Sequence, residues 1–300
     1  MSSILNTLER DDDASAVISW AQDLPGVRAG SALVESGGRL LVAQDDAYEL
    51  FWLLDLEVGQ VPRLESVSLT PGSGPLAKSH KPDFEAAADL PDGRIVVIGS
   101  GSAPTRNSVV IVDPDRGTYD LKDASRIYEI VGGALGHALN IEAMLWIGDG
   151  FRLFHRGNSG DGNATVDIVV DPDDPREVLV GGISYWDLGH VPGQNGPVAL
   201  TFTDADLDLS GRQWFLAAAE DTPNAIDDGP IAGASLGFLS GDTGRWTLLR
   251  DADGAPSTRK AEGLVIAADT TGGWIVTDLD DEHASAELCR IELSGWDAAQ

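Results

Sequence analysis

Asp83-Phe84-Glu85-Ala86-Ala87-Ala88-Asp89-Leu90-Pro91-Asp92-Gly93-Arg94-Ile95-Val96-Val97-Ile98 reads as a strand, a tight turn and a second strand. Proline presets one backbone angle, aspartate bonds back to the main chain, and glycine takes the left-handed position, so Pro91-Asp92-Gly93 reverses the chain. Residues 108–112 and 117–121 follow a Gly/Ser loop and supply two more short apolar runs, which completes a four-stranded antiparallel meander. The acidic step that opens this unit recurs as Asn140-Ile141-Glu142-Ala143 and Lys260-Ala261-Glu262-Gly263, at spacings of 57 and then 120 residues. Those intervals are about one and two units of sixty residues, which is the signature of a structural repeat.

Working outward, residues 141–147, 151–155, 166–170 and 177–180 fit the same layout. So do 31–34, 39–44, 49–56 and 63–69, and again 198–203, 213–218, 234–239 and 245–249. The last unit supplies only 263–267, 274–278 and 286–293, one strand short, while residues 16–20 lie ahead of the first unit and belong to none. Placing that N-terminal strand outermost in the last unit leaves no sheet incomplete and closes a ring. The expectation is one all-β domain over 1–300, a five-bladed β-propeller of four-stranded antiparallel blades. Its blades run roughly over 31–70, 83–123, 140–182, 197–250 and 262–294 plus 15–21, with a six-bladed ring as the alternative.

Composition agrees with a β domain: 35 glycines and 15 prolines punctuate short apolar runs, and no long amphipathic helix stands out. The formal charge of −29, with lysine only at Lys78, Lys81, Lys122 and Lys260, argues against a nucleic-acid partner. Cys289 is single, so there is neither an internal disulfide nor a thiolate metal site. The first ten residues lack a basic segment followed by an apolar one, and no run of about 18 apolar residues occurs, so a soluble cytoplasmic protein without membrane partners is expected.

Because strands alternate in direction, the entry to each first strand and the loop between strands two and three lie on one face. That face collects Ser31, Glu85, Glu142 and Glu262 with polar loops at 45–46, 100–107, 156–163, 220–231 and 278–282. Carboxylates gathered at one mouth repel each other unless protons or a cation lie between them, so a metal site is the first functional expectation.

Ser257-Thr258-Arg259-Lys260-Ala261-Glu262-Gly263 followed by Trp274-Ile275-Val276-Thr277-Asp278 resembles the last blade of the calcium-activated nucleotidases, the animal apyrase family. Trp214-Phe215-Leu216, Asp227-Asp228 and Gly233-Ala234-Ser235-Leu236 are similar to its fourth blade, and Ser31-Ala32-Leu33 with Gly38-Arg39-Leu40 and Asp45-Asp46 to its first. The chain also resembles, more closely, a group of uncharacterised bacterial propellers that carry the same acidic steps, the Arg156-Gly157-Asn158 triplet and the Glu220-Asp221-Thr222 loop. The nucleotidase resemblance implies an axial Ca2+ held by one oxygen-bearing residue per blade: Ser31, Glu85, Glu142, Thr203 and Glu262, at successive spacings of 54, 57, 61 and 59. Calcium takes six to eight oxygens in loose geometry, which suits this set. One departure concerns activity. Where those nucleotidases carry two arginines suited to phosphate, this chain has Ala217-Ala218-Ala219-Glu220-Asp221, leaving Arg106, Arg156 and Asn158 as candidate ligand-binding residues.

The resulting expectation is a calcium-binding propeller whose mouth takes a small anionic molecule, as a metal-dependent phosphoanhydride or ester hydrolase with Glu220, Asp278 or His137 as candidate base. A propeller in which calcium only staples the blades together is the alternative, and a lactonase-like propeller would go with six blades. Gly233-Ala234-Ser235-Leu236-Gly237 matches a nucleophile elbow, but the turn after Phe238-Leu239 favours a strand. Asp204-Ala205-Asp206-Leu207-Asp208 opens like a calcium loop and then departs from it at Leu209 and Phe215.

Overall fold

The computed structural model describes residues 4–72, 74–157, 162–222, 229–279 and 284–296. Four-stranded antiparallel units follow one another along the chain. Gly30–Ser36, Arg39–Gln44, Glu49–Leu54 and Arg63–Ser68 form the first sheet; Phe84–Asp89, Ile95–Gly99, Ser108–Asp113 and Thr118–Asp123 form the second. Ile141–Trp146, Phe151–His155, Asn163–Asp171 and Asp174–Asp187 form the third. Thr201–Leu207, Gln213–Glu220, Ile231–Ser240 and Thr243–Asp251 form the fourth. Lys260–Ile266, Gly272–Asp278 and Glu287–Ser294 continue, with Ser15–Asp23 antiparallel to Glu287–Ser294 on the outside.

The apolar runs are continuous, without alternation, because both faces of the inner strands are covered. In Arg39–Gln44, Leu40 and Val42 join the apolar cluster shared with the last sheet, whereas Leu41 and Ala43 join the cluster shared with the second. Successive side chains of a strand point to opposite faces, so such a run feeds two clusters at once. Similar clusters lie between the second and third sheets, the third and fourth, and the fourth and last. Each fully buried Val, Leu, Ile or Phe in them contributes roughly 1.5–3 kcal/mol. The first strands pack in the same cyclic order, each against the next, and Lys260–Ile266 back against Gly30–Ser36. At that last contact the approach is close: a Cβ on Gly263 would stand 2.9 Å from the Cβ of Leu33 and 2.5 Å from Val276.

The N-terminal segment reaches further than one strand. Leu5–Thr7 runs parallel to Tyr185, Trp186 and Asp187, Glu9–Arg10 parallel to Arg245 and Trp246, and Ser15–Asp23 meets Leu249, Arg250 and Asp251 through Ala16, Val17 and Ile18. It therefore ties the third, fourth and last sheets along their outer edges.

Three local expectations are corrected. An α-helix, Ser125–Leu135, packs against Asp174–Asp187 and buries Ile127, Tyr128, Val131 and Leu135, one helical stripe. It ends at Gly136, whose φ of 81° is left-handed, and its shortness and internal Gly132-Gly133 conceal it in the sequence. Among the described residues no helix is long and apolar enough to cross a membrane. The fourth sheet's first strand is Thr201–Leu207, not 198–203, since Val198 belongs to a separate hairpin of His190–Gly193 and Gly196–Ala199. The third sheet's outer strand runs over Asp174–Asp187, far beyond 177–180, because a register irregularity between Val166 and Ile168 lets it continue. Ser235 is fully buried inside Ile231–Ser240, so the nucleophile-elbow match is a strand.

Candidate metal centre

Each of the five residues aligned as oxygen donors sits at a break in strand register. The ladder skips between Gly30 and Ala32, Phe84 and Ala86, Ile141 and Ala143, Phe202 and Asp204, and Ala261 and Gly263. The skipped residues are Ser31, Glu85, Glu142, Thr203 and Glu262. A β-bulge leaves its extra residue out of the ladder and re-aims its side chain, so all five depart from the regular inward–outward alternation in the same way. Ser31, Glu142, Thr203 and Glu262 are buried and Glu85 is partly exposed.

The two hydroxyls share a second feature. Ser31 Oγ donates to the Phe84 carbonyl, and Thr203 Oγ1 donates to the Ala261 carbonyl at 2.7 Å. In both cases the acceptor precedes the bulge residue of a neighbouring sheet. Each hydroxyl proton is thus committed between sheets, while the oxygen retains acceptor capacity.

Charge at this mouth is crowded and largely paired. Lys81 bridges Asp45 and Asp83, and Arg106 Nη1 lies 2.8 Å from Asp83 Oδ2. Arg28 pairs with Asp46 at 2.5 Å. Arg156 contacts Glu220 at 2.7 Å and Glu142 at 3.6 Å, and its Nε donates to Thr201 Oγ1. Lys260 lies 3.2 Å from Glu262 and 3.5 Å from Asp278. Among the described residues Glu85 has no such ion pair, although Lys81 is close enough to be raised by its charge.

Pairing leaves the glutamates under-compensated. Burial first, then the charges of Asp83, Glu142, Asp45 and Glu262, hold the Glu85 carboxyl well above its usual range. Burial pushes Glu142 up to about 7 despite Arg156 and Lys260. Glu262 is likewise held well above the usual range by burial, against the pull of Lys260 and with the push of Asp278 and Glu142. The three glutamates act on one another through space, which is the situation a bound cation relieves. Asp45, Asp83 and Glu85 bring carboxylate oxygens within 4.8 Å of one another, but Lys81 already lies against the two aspartates. Carboxylates and hydroxyls are ligand types that calcium takes, but among the described residues Glu85, Glu142 and Glu262 do not come within 4.8 Å of one another as a group.

The other candidates are differently placed. Arg106 and Arg156 are engaged by carboxylates, so neither presents an uncommitted guanidinium to an anion. Glu220 is tied to Arg156 and Asp278 to Lys260. His137 is half-buried, its ring 4.8 Å from that of fully buried His155, whose Nδ1 accepts the Asn140 N–H. Asn158, Asp227 and Asp228 lie outside the described residues. Sequence reasoning gave no role to Lys81 and weighed Asp204 only as the opening of a loop. The signal for the first was available: of four lysines, two stand four and two residues before an aligned glutamate. Asp83, at φ 54°, adopts a left-handed conformation uncommon for a non-glycine residue, and its buried carboxylate accepts from Ser100, Arg106 and Lys81.

Comparison with solved structures shows the fold. A PQQ-bound aldose sugar dehydrogenase from Streptomyces coelicolor aligns over 94% of this chain and 98% of its own, at 13% identity and a TM-score of 0.51. YCF48 bound to a D1 peptide aligns over 97% and 99% at 13% identity with a TM-score of 0.37, and the N-terminal domain of Nup159 over 97% and 100% at 8% identity with a TM-score of 0.36. The dehydrogenase likeness shows a β-propeller fold and nothing of its chemistry. No curated protein matches the chain. The likeness to calcium-activated nucleotidases therefore stands on sequence motifs alone. The model of the family described as "Family of unknown function (DUF6929)" matches residues 26–293, and the chain belongs to that family.

Proposed function

We propose that the protein is a five-bladed propeller that binds one calcium ion on its axis through Ser31, Glu85, Glu142, Thr203 and Glu262, and that the ion staples the blades together. The observation that carries this reading is the bulge repeated at the same step of all five first strands, with an oxygen-bearing side chain in every one. The cyclic packing of those strands supports the five-blade count. A bound calcium would neutralise the mutual repulsion of Glu85, Glu142 and Glu262.

A second reading adds a small anionic ligand at the same mouth and hydrolysis of a phosphoanhydride or ester. Calcium, when bound, would supply Lewis-acid polarisation of ligand oxygens. Glu220 and Asp278 would first have to leave Arg156 and Lys260, and Arg106 and Arg156 would have to leave their carboxylates, whereas His137 carries no such ion pair among the described residues. The stapling reading needs none of these releases and is the better supported. Calcium and then EDTA, added to dialysed protein while melting and turnover of nucleotides and esters are followed, separates the two. Stabilisation without turnover supports stapling, turnover supports the hydrolase, and melting indifferent to both additions removes the axial site.

A further inference from the structure

Among the described residues the first three sheets each end in an outer strand whose far edge is unpaired over most of its length. Arg63–Ser68 and Thr118–Asp123 are six residues each and charged, through Arg63 and Glu65 in one and Asp120, Lys122 and Asp123 in the other. Shortness and charge keep such an edge from pairing with another chain. Asp174–Asp187 differs on both counts. It has 14 residues, and Val178-Leu179-Val180-Gly181-Gly182-Ile183-Ser184 within it holds no charge. Leu179 is 71% exposed, Gly181 and Gly182 are exposed, and so is Val169, the residue opposite Leu179 on the neighbouring strand. Val178 and Val180 are half-buried on the other face, against the cluster that includes the helix Ser125–Leu135.

This edge already receives a strand at one end. Leu5–Thr7 pairs in parallel with Tyr185, Trp186 and Asp187, immediately beyond the uncharged run, and leaves the run itself open. The charge that borders the run is acidic: Glu177 at one end, and Asp187 three residues beyond the other. Arg176, the one basic residue of the strand, is bound to Asp174 through Nε and Nη2 at 2.6 Å, whereas Glu177 makes no ion pair among the described residues. A second copy would bring the same acidic border and a charge of −29, so the complementary occupant is basic. We propose that the edge over residues 178–184 docks an extended segment of a partner protein, apolar at alternate positions and with Lys or Arg at its ends, which adds one strand to the third sheet. Main-chain pairing supplies the affinity, Leu179 on one face and Val178 and Val180 on the other receive alternate side chains, and Glu177 receives a flanking cation.

The test is fluorescence anisotropy of the full chain with the labelled peptide Lys-Val-Thr-Val-Thr-Val-Lys, compared with the same peptide carrying glutamate at both ends and with one carrying two prolines at its centre. The proline peptide keeps the charge and loses pairing N–H groups, so it controls for general attraction to an acidic protein. Saturable binding of the first peptide alone is expected, with hydrogen-exchange protection gained over 178–184 and not over 63–68 or 118–123. L179K is expected to weaken binding about tenfold or more, and E177K to narrow the preference for lysine over glutamate ends. Both changes fall on exposed side chains, so the fold is kept. Equal binding of the proline peptide, no binding of any peptide, or unchanged affinity in both variants would overturn the proposal. So would a dimer in sedimentation that L179K abolishes, since a second copy would then be the occupant.

Discussion

The two ends of the first strands solve the same electrostatic problem differently. At the strand starts, Asp45, Asp46, Asp83, Glu142, Glu220, Glu262 and Asp278 are interleaved with Arg28, Lys81, Arg106, Arg156 and Lys260. At the strand ends, Glu35, Asp89 and Asp206 line a cavity and form no ion pair among the described residues, Glu35 accepting the Gly38 N–H and Asp206 the Ile266 N–H. Bulges make the difference possible. They set one residue of every first strand outside the ladder, and beyond each break the strand resumes its period of two. One mouth is held by ion pairs, and at the other the carboxylates of Glu35 and Asp206 accept backbone N–H groups.

The largest break in that comparison is R156A. It leaves Glu142 and Glu220 without their guanidinium, and a loss of about 3–5 kcal/mol is expected in urea denaturation. Adding E142Q to R156A restores part of that loss, and strict additivity of the two changes would contradict the pairing. Calcium removal comes next. On the proposed stapling reading, an ion at a hundredfold excess over Kd would stabilise by about 2.7 kcal/mol, so EDTA is expected to lower the melting temperature by several degrees and E262Q to abolish the response.

The other mouth supplies a pH test. The Asp206 carboxyl titrates near 6 in the folded chain and near 3.8 unfolded, so the folded state holds the extra proton between those values. Its contribution to stability therefore falls as pH rises from about 4 to about 6 and is flat above. D206N removes this slope and gains on the order of 1 kcal/mol at pH 7.5, with partial exposure and the Ile266 N–H limiting the gain. A pH profile of unfolding identical in wild type and variant would show that Asp206 is not held out of its usual range. T203V gives the smallest change. It keeps the shape, loses the bond to the Ala261 carbonyl, and costs about 1 kcal/mol without calcium. A calcium response unchanged in T203V would remove Thr203 from the ligand set.

The repeat was legible because inner strands buried on both faces read as unbroken apolar runs between turn residues, as in 94–98 and 39–44. The helix Ser125–Leu135 was not, since eleven residues with two internal glycines carry too little amphipathic signal. The ring positions were aligned from spacing and resemblance. The commitment of Arg106 and Arg156 to Asp83, Glu142 and Glu220 could not be read, because those partners lie 14 to 64 residues apart in the chain. Asp204 and Asp206 looked like a loop opening until the strand Thr201–Leu207 carried them to the axis, where backbone N–H groups of Lys260–Ile266 receive them.

The sequence by itself determined the all-β class, the unit length, the turns and the recurrence of the acidic step at three strand starts, because the strands and turns follow from local backbone chemistry and the periodicity of burial. Only the tertiary structure decided which charges neutralise one another, that a register break falls at each of the five aligned residues, and that the ion pairs gather at one end of the first strands. Those depend on strands from distant parts of the chain meeting around one axis, where a separation of a few ångströms sets both the strength of an ion pair and the penalty for burying a carboxylate without one.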